Sequence, residues 1–147
     1  MYFYRLKLNI NSCISFQSNY NPFIFSYKQD LFSYGSTQRK IIKKRYQLTG
    51  LVEDHHIIPR SLEKHPLIVE TKFPIHCSKN IKMMPSRQNK YISENILVHC
   101  HHINYNRFIK DCLNEIYETN HNKQEGIIGL LDEMEEKLNY KESVPWN

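Results

Sequence analysis

The stretch Leu51-Val52-Glu53-Asp54-His55-His56-Ile57-Ile58-Pro59 constrains this chain more than any other. Its β-branched residues favour extended backbone and Pro59 stops a ladder, so it reads as a strand leaving a core. Neighbours on a strand point to opposite faces. His55 and His56 can therefore meet different partners, one imidazole a metal ion and the other a substrate. Phosphodiester hydrolysis asks for both roles. A divalent ion neutralises charge on the phosphate and its leaving oxygen. A base with a pKa near 7 deprotonates water, and histidine does so without tuning. Seven of the eight histidines lie between residues 55 and 102.

The 147 residues suit one domain with a real core. Residues 1–10 alternate as a strand does, and the aromatic stretch 1–35 reads as short extended pieces broken at Asn21-Pro22 and Tyr34-Gly35. Its aromatic residues are expected to pack in a core. Ser36 or Thr37 can cap a short helix through Gln47, ended by Gly50. Ile41, Ile42 and Tyr46 would anchor one face of it, and Arg39, Lys40, Lys43, Lys44 and Arg45 carry charge without an acid among them. A long connection, Arg60 to Ser78, follows the histidine strand. Asn80 to Pro85 reads as a second short strand or turn. Ser86 to Val98 is weakly helical. His102 to Glu118 is a better helix, with Tyr105, Ile109 and Leu113 on one stripe. A last amphipathic helix runs from about Lys123 to Tyr140, its start weakened by Gly126 and Gly129.

Charge is divided unevenly. Residues 1–110 hold 17 Lys and Arg against 6 Asp and Glu, whereas residues 111–147 hold 3 against 9. A front part that basic suits a polyanion such as nucleic acid. Cys13, Cys77, Cys100 and Cys112 form no CxxC pair, which argues for reduced thiols and against a zinc knuckle. No apolar run is long enough to span a bilayer, and the start lacks the pattern of a signal peptide, so an intracellular protein is expected.

Four stretches together resemble a known family. They are His-His-Ile-Ile-Pro at 55–59, His65-Pro66-Leu67, Asn80 through Pro85, and His102-Ile103-Asn104-Tyr105-Asn106 with Phe108-Ile109. In this order they resemble the HNH/endonuclease VII superfamily of nucleases, closest to the branch with the Ala-His-His motif, over roughly residues 50–116. Asp54 stands in the place of the alanine. The resemblance implies an α+β protein with a ββα-metal (His-Me finger) core at 49–118. An N-terminal β-rich extension, 1–48, and a C-terminal amphipathic helix, 119–147, would complete a single domain. It implies His56 as general base, Asn80 as the residue fixing the backbone that presents the base, and His55 as a metal ligand. His102 or His99 from the helix, or Asn89, would complete the ligand set, and Asp54 is a further candidate. One divalent ion, Mg²⁺, Mn²⁺ or Zn²⁺, is implied. Imidazoles favour transition metals and oxygen ligands favour Mg²⁺. Arg39, Lys40, Lys43, Lys44, Arg45, Lys82 and Arg87 would contact the phosphates of nucleic acid, DNA favoured over RNA. An immunity or regulatory protein is a conceivable further partner. A nuclease-like fold that only binds nucleic acid and a structural zinc protein are the rival readings.

Overall fold

The computed structural model describes residues 33–88, 97–99, 101–138 and 144–146. The alternating start at 1–10, the aromatic residues before Tyr34, Cys13, Asn89, Lys90, Cys100, Tyr140 and most of the weak helix expected at 86–98 lie outside them. The fold is α+β, a two-stranded antiparallel sheet with helices. No described helix is long and apolar enough to cross a membrane. Cys77 and Cys112 are free thiols, each half-buried.

Helix α1, Thr37–Arg45, begins at Ser36, whose Oγ accepts from the Arg39 amide at 3.3 Å. It ends two residues earlier than expected. Gln47, not Gly50, takes the left-handed turn after it, with φ 57°; Gly50, with φ 77°, then turns the chain toward the sheet. The expected apolar anchor is also reversed. Ile41 and Tyr46 are about half exposed, and Arg39 is the buried residue of the helix.

Strands β1, Val52–His56, and β2, Ile81–Pro85, pair antiparallel with Val52 opposite Pro85 and His56 opposite Ile81. The connection between them is more structured than its prolines suggest. A 3₁₀ turn, Arg60–Leu62, leads to helix α2, Pro66–Thr71. His65 caps α2, its Nδ1 accepting from the Leu67 amide at 3.2 Å while its Nε2 bonds Asn114 Oδ1 at 2.9 Å. Pro66 sits at the first helical position, where its missing N–H costs nothing.

Helix α3, Ile103–Thr119, starts one residue later than expected, so His102 is its N-cap residue. Helix α4, Lys123–Lys137, starts at Asn122, whose side chain accepts from the Glu125 amide. Helices α2, α3 and α4 pack on one another. Ile57, Ile58, Leu67, Tyr105, Ile109, Leu113 and Leu131 are all at most 1 % exposed and form the centre of the core. Gly126 has a positive reason to be glycine. A Cβ there would stand 2.6 Å from Ile116 Cγ2, so its absence lets α4 approach α3. The acidic side of α4 meets the basic front part directly: Lys79 pairs with Asp132, and Lys82 Nζ donates to the Glu135 carbonyl at 2.7 Å.

Candidate active site

The alternation of β1 separates its polar side chains into two sets. Glu53 and His55 share one face, and Asp54 and His56 the other. On the first face His55 meets two residues from the segment leading into α3. The ligand-capable atoms of His55, His99 and His102 all lie within 4.8 Å of one another. His55 is 1 % exposed, and its Nε2 has no hydrogen-bond partner among the described residues. A buried polar atom left unpaired costs free energy unless something binds it. Burial, with His102 and His99 beside it, pushes the His55 pKa down to about 2, so the ring is neutral and a lone pair is available.

The other two rings are held from behind. His99 Nδ1 donates to Glu53 Oε2 at 2.6 Å, and His102 Nδ1 donates to Asn106 Oδ1 at 2.8 Å. Each bond leaves Nε2 as the outward nitrogen, the arrangement by which carboxylates and amides orient metal-binding imidazoles. Burial lowers the His102 pKa, opposed by the bond to Asn106. Three imidazoles whose nitrogens converge, two of them oriented from behind, fit a divalent transition-metal ion. A groove of about 430 Å³ opens beside them, lined by Glu53, Arg87, His99, His101, His102, Ile103 and Asn106. Neither Glu53 nor Asn106 has a site role in the sequence analysis, although each left a signal. Glu53 is two residues before His55, hence on its face, and Asn106 is one helical turn after His102.

Asp54 does not join this cluster. It lies on the opposite face, where its Oδ1 accepts from Arg39 at 3.1 Å and sits 3.0 Å from Lys43 Nζ. Burial alone would raise the Asp54 pKa, but the contacts with Arg39 and Lys43 outweigh it and hold the carboxyl below its usual value. Arg39 and Lys43, expected to contact phosphates, are both engaged by Asp54, and Arg39 is 6 % exposed. Lys82 is likewise turned inward against α4, and burial lowers its pKa. Lys40, Lys44, Arg45 and Arg87 are exposed. A second groove of about 360 Å³, lined by Tyr34, Arg39, Lys40, Lys43, Asp54 and others, shares Glu53 and His99 with the first, so the α1 surface leads to the imidazole cluster.

His56 lies outside the cluster, on the face of Asp54. Its Nε2 is 3.0 Å from His76 Nδ1, and its ring centroid is 4.6 Å from that of Tyr34. It is tuned after all. Burial, with His76 and Arg60 nearby, pushes its pKa down to about 4. The sequence reading gave His76 no role, and nothing in the spacing of a loop histidine announces its partner. The backbone just beyond His56 is pinned from three sides. Asn80 is fully buried; its Oδ1 accepts from the Ile58 amide at 2.7 Å, and its Nδ2 donates to the carbonyls of Ile58 and Ile75. The Ile57 amide donates to the Asn80 carbonyl, and Tyr105 Oη donates to the Ile57 carbonyl at 2.6 Å.

Compared with known proteins, the chain matches one family model, over residues 39–138: a nuclease family of the HNH/ENDO VII superfamily with conserved Ala-His-His. Neither the curated proteins nor the solved structures gave a match. The match spans the basic helix, both strands, the imidazole cluster and the two long helices, and the chain belongs to this nuclease family of the HNH/ENDO VII superfamily.

Proposed function

We propose that the chain hydrolyses nucleic-acid phosphodiester bonds with one divalent ion held by His55, His99 and His102 and with His56 as general base. The observation that carries the proposal is the convergence of three imidazoles, one of which, His55, is buried with no hydrogen-bond partner for its Nε2 among the described residues. β1, β2 and α3 then form the ββα-metal core. The ion, when bound, supplies charge neutralisation at the phosphate and leaving oxygen. The chain's own residues do the rest. Asn80 holds the backbone after His56, which fixes where that imidazole stands. When His56 Nε2–H donates to His76, the lone pair on His56 Nδ1 is the one that takes the proton from water. Lys40, Lys44, Arg45 and Arg87 bind phosphates without reading sequence.

The all-imidazole set favours Zn²⁺ or another transition metal over Mg²⁺, since Asp54 is committed to Arg39 and Lys43. A structural zinc site would be closed by four protein ligands. The described residues supply three, beside an open groove. The test is cleavage of supercoiled plasmid, and of single-stranded DNA and RNA, with each of Mg²⁺, Mn²⁺ and Zn²⁺. Metal-dependent cleavage by the wild type, lost in His56→Ala while nucleic-acid binding persists, is the expected result. Salt-sensitive binding without cleavage of any substrate would replace the nuclease with a binding module.

A further inference from the structure

The imidazole cluster has a neighbour from outside the family match. Residues 144–146 return to the core, where Val144 is 6 % exposed, and they bring Trp146 against the cluster. The Trp146 ring centroid is 4.9 Å from that of His102, 5.2 Å from His55 and 5.1 Å from Tyr105. Such separations are those of rings in contact. His55 and His102 are themselves 5.0 Å apart and nearly perpendicular, so one indole touches both candidate ligands. The family match ends at residue 138, and Trp146 is the only tryptophan in the chain.

The ring contacts say what an indole does there. His99 and His102 have polar partners that orient them, Glu53 and Asn106, whereas His55 Nε2 has no hydrogen-bond partner among the described residues and its ring is flanked by those of His99, His102, Tyr105 and Trp146. Tyr105 and Trp146 are among the rings around it, and Tyr105 is committed through its hydroxyl to Ile57. An apolar wall beside a metal site also limits water access and sets the local dielectric.

The geometry points to Trp146 as a positioning residue of the metal site, the apolar wall that fixes the His55 and His102 rings and so sets the affinity for a transition-metal ion. This rests on the metal site proposed above. Because the indole touches two candidate ligands, it also makes the site its own reporter.

The experiment is a Co²⁺ titration of the full chain, read by the visible absorption of the bound ion and by Trp146 emission. In the wild type both signals are expected to move together with one midpoint, emission being quenched, and His102→Ala removes both. Trp146→Ala is expected to weaken Co²⁺ binding by about tenfold to a hundredfold, with Trp146→Phe restoring most of it. Melting of the metal-free variants separates this from a loss of fold. Co²⁺ absorption in the wild type with unchanged emission, or affinity unchanged in a folded Trp146→Ala, would overturn the role of Trp146 and leave the metal site standing. No Co²⁺ binding by the wild type would overturn the metal site itself and the wall with it. Should Trp146→Ala not fold, quenching in the wild type decides: its presence supports the wall, its absence overturns it.

Discussion

Asp54 directly precedes His55-His56, where the resemblance to the Ala-His-His motif would put alanine, and its surroundings explain how an acid is tolerated there. Arg39 is nearly buried beneath α1, and the Asp54 carboxylate lies against it and against Lys43. Alanine at this position takes the carboxylate from a buried guanidinium. Asp54→Ala is therefore expected to cost about 3 kcal/mol, read by chemical denaturation. The pairing also predicts an acid limb. The folded carboxyl titrates below the unfolded value of 3.8, so its contribution is fully present above that value and is lost as pH falls through the lower folded one. The melting temperature of the wild type should drop in that window, and Asp54→Asn should lack this part of the fall. Of these relations, the sequence showed the opposite faces of Asp54 and His55. It did not show which cations lay beneath Asp54, since Arg39 is fifteen residues away and looked like a solvent-facing member of a basic helix.

Among the elements, the two strands were legible because β-branched residues and Pro59 and Pro85 mark them, and α3 because its apolar stripe is regular. Helix α2 was not. Its Leu67-Ile68-Val69 run lies in a connection marked by Pro66 and Pro74, and its N-cap is an imidazole rather than the usual hydroxyl or carboxylate. The glycines of α4 were legible only as a weakness, whereas the structure distinguishes them. Gly126→Ala would drive a methyl into Ile116 and Asn120 at the α3–α4 contact; Gly129 has nothing within 4 Å. Gly126→Ala is expected to destabilise by about 1–3 kcal/mol despite its better propensity. Gly129→Ala should stabilise by roughly 0.5–1 kcal/mol. Opposite shifts in denaturation midpoint check the pair. Equal shifts would mean that α4 does not pack on α3 as described.

Over the whole molecule, the contrast between a basic front and an acidic tail turns out to be partly internal. Lys79 and Lys82 are spent on α4, and Arg39 and Lys43 on Asp54. Of the described cations expected to contact phosphates, Lys40, Lys44, Arg45 and Arg87 stay exposed, and Lys40 and Arg87 line two grooves that share Glu53 and His99. Composition cannot make that distinction, because it counts a buried lysine and an exposed one alike. Each phosphate contact contributes about 0.9 to the slope of log affinity against log salt. Lys40→Ala and Lys44→Ala should each lower that slope by about 0.9 on duplex DNA, measured by fluorescence anisotropy, and Lys82→Ala should leave it unchanged. A fall with Lys82→Ala would mean that its ammonium leaves the Glu135 carbonyl to bind phosphate.

In the proposed function the alternation of β1 gives two adjacent histidines different work, and metal content and cleavage measured on the same three proteins test this most directly. The wild type should hold one ion per chain and cleave. His55→Ala should lose both ion and cleavage, and His56→Ala should keep the ion and lose cleavage. If His56→Ala loses the ion as well, or His55→Ala retains it and still cleaves, the division of roles across the strand is wrong.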